Sequence, residues 1–404
     1  MTTYYVGKHG NNANAGTVKG SPKLTIAAGI GAASADDTVE ILDEGSYNEG
    51  GISILVNGLT VTHTASSLGR PKMHGTGLAG NPGLRAFYLY GGFTTYIGLE
   101  ISNYDNYALH KGDSDYYKFH ISGCFIHDVP KFGHASITGD STTKSTIKDS
   151  VLYFSNGDGV GLNISSNVTL NNCLITSSNH SADTFVGPGN ATVTASFCTF
   201  IARGGLASAV DLIIQAGKVI NCIVSGSGGG LSSDDHSYNL VLTSGPYFRN
   251  LADNADGSPG AGDISGSIPL FVGPTVTGSD SATAASFKLQ SASPCIDAGT
   301  AYGNVTTDIS GNQRALSVWT SYSTPPKSNF AEDLVINSYR NMAAQYQRPG
   351  SPAGYDMGAF EFPTVGGITA PINASNVDQV PFSLGAKGPT SIRLRTLPYK
   401  VEKD

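Results

Sequence analysis

The residues best suited to chemistry are two aspartates and two histidines, Asp158, Asp183, His134 and His180. Two carboxylates at a suitable separation hydrolyse a glycosidic bond, and that separation decides retention or inversion. A histidine beside an acid can instead remove the proton α to a uronate carboxylate, as β-elimination requires. The enediolate that develops then needs a cation, either Ca²⁺ or Arg203. Tyr104, Asp105, Lys111 and Arg203 read as groups that would hold a saccharide. Each of these residues also fits a solvated loop, and Asn156-Gly157-Asp158-Gly159 is ordinary turn chemistry. The sequence has no Asp-x-Asp-x-Asp-Gly calcium loop, no zinc spacing, no nucleotide loop and no nucleophile elbow. The expectation is therefore no metal site and no resident cofactor, with Ca²⁺ entering only if the chain is a lyase. Asp234-Asp235-His236 fits a solvated turn better than an ion site.

A repeat would bring these side chains to one side of the molecule. The five cysteines are Cys124, Cys173, Cys198, Cys222 and Cys295, an odd number that makes a poor disulfide framework. Cys173 to Cys198 is 25 residues, Cys198 to Cys222 is 24, and Cys124 to Cys173 is 49, or two such steps. Ser150 fills the missing step and Leu99 the one before. Aligned on this column, the segments 96–101, 121–126, 147–152, 170–175, 195–200 and 219–224 agree at other positions too. The sixth position reads Ile, Ile, Leu, Ile, Phe, Val, and the third is usually Gly, Asn or Asp, which are turn residues.

Two short strands meeting at a small-residue corner once per period describe one coil of a parallel β-helix. Successive coils stack at roughly 4.8 Å, so the cysteines form an internal column of buried thiols that pack as small hydrophobes. Residues 37–250 have room for roughly nine coils of ~24 residues. Further rungs are expected at Thr38–Leu42, Leu59–Thr62 and Arg85–Leu89. The loops after each cysteine strand hold the chemical residues above in one sector, which predicts a polar groove. Between the two inward positions lies an outward one, reading Glu100, Phe125, Val151, Leu174, Thr199 and Ile223. So apolar a stripe marks an interface, either with two further copies in a homotrimer or with a covering loop of the same chain.

Composition agrees with an all-β chain. Charged residues are 14% of the 404 and Gly numbers 51, against about 25% charged in an average domain. A helical bundle, a coiled coil and a charge-rich disordered chain are thereby disfavoured. The net charge is −7 and no Lys/Arg-rich run occurs, which speaks against nucleic acid as a partner. No stretch approaches the roughly 18 apolar residues that span a bilayer, so no membrane is expected. The opening Met1-Thr2-Thr3-Tyr4-Tyr5-Val6 has neither a basic nor an apolar signal region, which predicts no secretory signal.

Both ends carry a resemblance. Tyr4-Tyr5-Val6, Gly10-Asn11, Asn14-Ala15-Gly16-Thr17, Pro22 and Leu24-Thr25-Ile26-Ala27-Ala28 resemble the opening of pectate-lyase-like, right-handed parallel β-helix proteins. That opening usually carries an Asp in its Gly-Asn loop, where this chain has Gly10-Asn11-Asn12-Ala13. Ser293-Pro294-Cys295-Ile296-Asp297-Ala298-Gly299, Asp308-Ile309-Ser310-Gly311-Asn312-Gln313-Arg314 and Tyr355-Asp356-Met357-Gly358-Ala359-Phe360-Glu361-Phe362 resemble the terminal "choice-of-anchor" module of bacterial surface β-helix proteins. Asp297, Asp308, Arg314, Asp356 and Glu361 are expected to close a charged network over the last rung, with Arg314 as the forked donor.

The expected organisation is an N-terminal cap over 1–36, built on an amphipathic helix near Lys23–Ile30, then a right-handed parallel β-helix over 37–250. A C-terminal end and capping module follows over 251–363, with a helical lid across 331–347. An extended tail over 364–404 includes the alternating segment Ser391–Leu397, suited to attachment to a partner. Three functions fit. One is a structural virion protein of a tailed bacteriophage, a tail spike, fibre or capsid decoration that binds bacterial surface polysaccharide alongside other virion proteins. The second is a polysaccharide lyase or glycoside hydrolase, and the third a bacterial surface adhesin. The setting is virion or extracellular in each case.

Overall fold

The computed structural model describes residues 1–63, 69–76, 84–111, 118–129, 134–136, 145–154, 162–165, 167–178, 185–187, 193–203, 212–226, 231–237, 239–243, 248–249, 259–273, 283, 285–300, 302–303, 305, 307–309 and 355–359. The chain divides into a unit of Met1–Ser328 with Gln347–Phe362 and a unit of Asn329–Tyr346 with Pro363–Asp404. Every described residue belongs to the first. The expected lid over 331–347, the tail and its Ser391–Leu397 segment lie outside the described residues, as do Arg314 and Glu361.

The first unit is an all-β parallel solenoid with three walls, and the registered strand pairs are all parallel. The first wall runs through Thr3–Val6, Thr38–Ile41, Leu59–His63, Phe93–Ile97, Lys118–Ser122, Ser145–Lys148, Val168–Asn171, Val193–Ser196 and Leu212–Ile220. The second is a 10-stranded sheet from Ser46–Asn48 to Ile264–Ser265. The third begins with a 3-stranded sheet of Ile52–Ile54, Phe87–Leu89 and Leu109–Lys111.

The corner between the first two walls follows the repeat. Gly98, Gly123, Asp149, Asn172, Phe197 and Asn221 all have left-handed backbone, with φ of 70°, 61°, 51°, 54°, 52° and 56°. Only Gly adopts this freely, and Asn and Asp tolerate it. Phe197 alone breaks the rule. Each corner N–H donates to the rung above, from Gly98 to the Ser122 carbonyl at 3.0 Å through Asn172 to that of Ser196 at 3.1 Å.

The next position is the buried column. Cys124, Cys173, Cys198 and Cys222 are free thiols, at most 1% exposed. Each donates to the carbonyl two residues back, from 3.2 Å at Cys173 to 3.5 Å at Cys124, and the Ser150 hydroxyl does the same at 2.7 Å. Burial pushes the Cys124, Cys173 and Cys222 thiols above their usual range. Asn239 ends the column, its side-chain oxygen accepting from the Cys222 N–H at 2.9 Å. Ile101, Ile126, Leu152, Ile175, Phe200 and Val224 line the inner face of the second wall in the main core. Each such buried side chain contributes about 1.5–3 kcal/mol.

The three earlier rungs all contain solenoid strands. Thr38–Ile41 and Leu59–His63 belong to the first wall, while Phe87–Leu89 belongs to the third, and Phe93–Ile97 supplies the first-wall strand of that coil. The helix spans Ile26–Ala32, beginning after the expected start because Pro22 and the Thr25 cap precede it. Thr25 Oγ1 accepts from the Ala28 N–H at 3.1 Å, and Glu49 accepts from those of Ile26 and Ala27. A Cβ on Gly29 would come within 2.6 Å of Val6 Cγ2, so Gly is what lets the helix sit against the first strands.

The outward stripe of the second wall is covered by the chain itself. Phe125, Val151, Leu174 and Ile201 pack with Phe287 and Ala359. Ile223 and Leu240 pack with Leu289, Cys295, Ile296 and Met357. The strap is also fastened by polar contacts at the corner. Asn172 Nδ2 donates to the Thr307 carbonyl at 2.6 Å, and Asn221 exchanges bonds with Thr300 at 2.7 and 2.8 Å. Of the two explanations for the stripe, the covering segment is the one that holds, and the stripe no longer argues for a homotrimer. The described capping residues sit in this strap along the side of the second wall, not across the last rung. Asp356 Oδ1 accepts from the Asp297 N–H at 2.7 Å, and Asp308 is 2% exposed.

Candidate functional site

Of the residues expected to line one polar groove, Tyr104 and Asp105 are the ones whose side chains are described. Tyr104 is buried, and its hydroxyl donates to the Glu49 carbonyl, so it faces no ligand. Burial also pushes its phenol far above the usual range. Asp105 is exposed on the adjoining turn. Lys111 ends the third-wall strand Leu109–Lys111, and the strand His134–Ser136 stands beside it at the end of the 14-stranded sheet, whereas Arg203 ends the second-wall strand Thr199–Arg203. Arg203 is therefore on a different wall from Lys111, because the loops vary in length. Asp158, His180 and Asp183 lie outside the described residues.

One acid–base cluster does form. His127 places Nε2 3.2 Å from Glu100 Oε1 and Nδ1 2.7 Å from Asp128 Oδ2. A bulge between Ile126 and Val129, with Asp128 at φ 52°, bends the strand so that neighbouring side chains meet. The Lys72 ammonium stands 3.8 Å from Glu100, and the Phe125 ring stacks on His127 at 4.1 Å. The side chains of His127 and Glu100 are only 7% and 11% exposed. Both imidazole nitrogens are occupied and one face is covered, which leaves no room for a sugar between acid and base. The cluster reads as a closed ion network on the rung beside the strap. Asp235 pairs with Lys218 at 3.2 Å, and His236 with the buried Asp263 at 2.5 Å. Among the described residues, no three His, Cys, Asp or Glu converge to hold a metal ion.

An aromatic ledge stands on the third wall. In Phe87–Leu89 the outer residues are buried and Tyr88 faces out, and in register beside it stand Ser53 and His110. Tyr90 follows the strand, 42% exposed, next to Leu55 at 72%. The rings of Tyr88 and Tyr90 lie nearly parallel, with centroids 6.4 Å apart and an interplanar angle of 10°. His110 meets Tyr88 edge-on at 5.9 Å and Tyr107 at 4.9 Å. The Arg85 guanidinium lies 5.0 Å from the Tyr88 ring and 5.5 Å from that of Tyr107, and its Nη1 donates to the Tyr88 hydroxyl at 2.9 Å. These contacts brace the half-buried Tyr88 ring, and Tyr90 beside it stays exposed. Such a ledge offers flat apolar faces to the C–H face of a pyranose, with hydroxyl and guanidinium groups at the rim for its oxygens. The alternation Arg85-Ala86-Phe87-Tyr88-Leu89-Tyr90 carried the signal, since two aromatic residues fall on the outward side of a buried strand.

No known sequence family matches the chain, and no curated protein matches it. Among solved structures it is similar to the crystal structure of pectate lyase Pel9A, with 15% identity and a TM-score of 0.47 over 76% of this chain and 94% of that one.

Proposed function

We propose that the chain is a glycan-binding β-solenoid, a structural protein of a tailed bacteriophage virion that presents its third wall to bacterial surface polysaccharide. The observation that carries this reading is the parallel Tyr88–Tyr90 pair, with Tyr90 exposed, Tyr88 half-buried and Arg85 bracing Tyr88. A right-handed winding of about nine ~24-residue coils, closed at the N-terminal end by the helix Ile26–Ala32, belongs to the same reading. The lyase or hydrolase alternative rests on Asp158, Asp183, His134 and His180, with Ca²⁺ as the cation for a lyase. The described acid–base cluster gives it no support, because His127 and Glu100 are shut in.

Affinity electrophoresis in capsular polysaccharides, alginate and pectin tests the proposal. The wild-type protein is retarded in at least one of them and releases no unsaturated or reducing ends. Retardation that survives Tyr88→Ala and Tyr90→Ala together removes the ledge as the binding surface. Release of new ends returns the enzyme reading.

A further inference from the structure

The loop over 10–23 holds a buried ammonium. The Lys23 side chain donates to the main-chain carbonyls of Asn12 at 3.3 Å and Asn14 at 2.8 Å, and the residue is 9% exposed. Among the described residues no carboxylate lies within ion-pair distance of it. Its counter-charge is therefore made of peptide dipoles, as in the oxygen cages that bind hard cations. Both accepting residues are pinned by their own side chains. Asn12 Oδ1 accepts from the Leu24 and Thr25 N–H groups at 2.9 and 3.1 Å, and Asn14 Nδ2 donates to the Pro22 carbonyl at 2.9 Å. A Cβ on Gly16 would stand 2.9 Å from Lys23 Cγ, so the loop leaves a channel for the lysine stem.

The same loop covers the outer edge of the first strand, Thr3–Val6. The Tyr5 N–H donates to the Gly16 carbonyl at 2.6 Å, the Lys23 N–H to that of Tyr5 at 2.8 Å, and the Gly7 N–H to that of Lys23 at 2.9 Å. Without this cover the strand would present free donors and acceptors to another chain. We propose that the Lys23 ammonium is the permanent occupant of a carbonyl-lined cation site, a tethered replacement for a free ion, and that it holds the loop closed over the solenoid's first strand. The site needs no dissolved metal, because its cation is covalently attached.

Hydrogen exchange at the amides of Tyr5, Gly7 and Lys23 tests this, with circular dichroism confirming that each variant is folded. Lys23→Met keeps the stem and loses the charge, Lys23→Ala empties the channel, and Lys23→Arg keeps a charge. The two neutral variants exchange these amides at least about tenfold faster, while distant core amides are unchanged. Lys23→Arg stays within about threefold of the wild type. Adding n-propylammonium chloride restores protection to Lys23→Ala but not to Lys23→Met, and tetramethylammonium at equal ionic strength restores it to neither. Wild-type exchange in Lys23→Met overturns the proposal. So does equal rescue by the two ammonium salts, or loosening in Lys23→Arg as large as in Lys23→Met.

Discussion

The Gly358 N–H donates to the Asn221 carbonyl at 2.7 Å, joining the strap to a corner of the solenoid. Gly358 has φ +92°, and a Cβ there would stand 2.7 Å from both Ile223 Cδ1 and Thr199 Oγ1. Close approach and backbone shape thus demand glycine at once. Gly358→Ala is expected to cost about 1–3 kcal/mol from overpacking, with further strain from the backbone. Urea denaturation reads the loss, and a rise in dye binding to apolar surface reports the strap lifting from Ile223.

Asn221 does two jobs that substitution can separate. It holds left-handed backbone at φ 56° and exchanges side-chain bonds with Thr300. Asn221→Gly keeps the first and loses the second, for about 1–2 kcal/mol. Asn221→Ala loses both and costs about 1–2 kcal/mol more. Denaturation midpoints in the opposite order would remove the backbone requirement at this corner.

The ledge is expected to affect binding without affecting stability. Tyr90 is 42% exposed, so Tyr90→Ala leaves the melting temperature within about 1 °C, as for most surface changes. Its affinity for the retained polysaccharide falls at least about tenfold, as for an aromatic anchor. Arg85→Gln falls by a similar factor because it also unseats the Tyr88 hydroxyl. Titration calorimetry beside thermal melts makes the comparison.

The buried thiols set a dependence on alkaline pH. Burial pushes Cys295 from 9.0 up to about 12 and raises Cys124, Cys173 and Cys222 as well. The unfolded chain therefore ionises first as pH rises. The stability from keeping these thiols neutral is full below pH 9.0 and declines between there and about 12. Urea midpoints should fall from pH 8 to 10.5, and Cys173→Ser should make the fall shallower. Ser already occupies the column at Ser150 with the same backbone bond, so the substitution itself should be mild.

The first corner and the columns beside it were legible in the sequence because every coil imposes the same demand there. A left-handed backbone admits few residue types, and an inward position must be apolar, so Gly98 to Asn221 and Leu99 to Cys222 repeat visibly. The third wall repeats less. Its strands follow loops of unequal length, which is why the repeat does not say which wall Phe87–Leu89 joins and why Arg203 falls on a different wall from Lys111. Tyr104 read as a ligand group because nothing local reveals the Glu49 carbonyl that takes its hydroxyl. The stripe from Phe125 to Ile223 announced an interface, but its partner was distant in the chain, at Phe287, Leu289 and Met357.

That distance has a cost during synthesis. Phe125, Val151 and Leu174 leave the ribosome long before Phe287 and Ala359 exist to cover them. Until then the growing rod carries a wet hydrophobic flank, open to chaperones and to neighbouring nascent chains. A late segment is what finishes the flank from Phe125 to Leu240, so a ribosome that stalls short of it would release a chain that clumps.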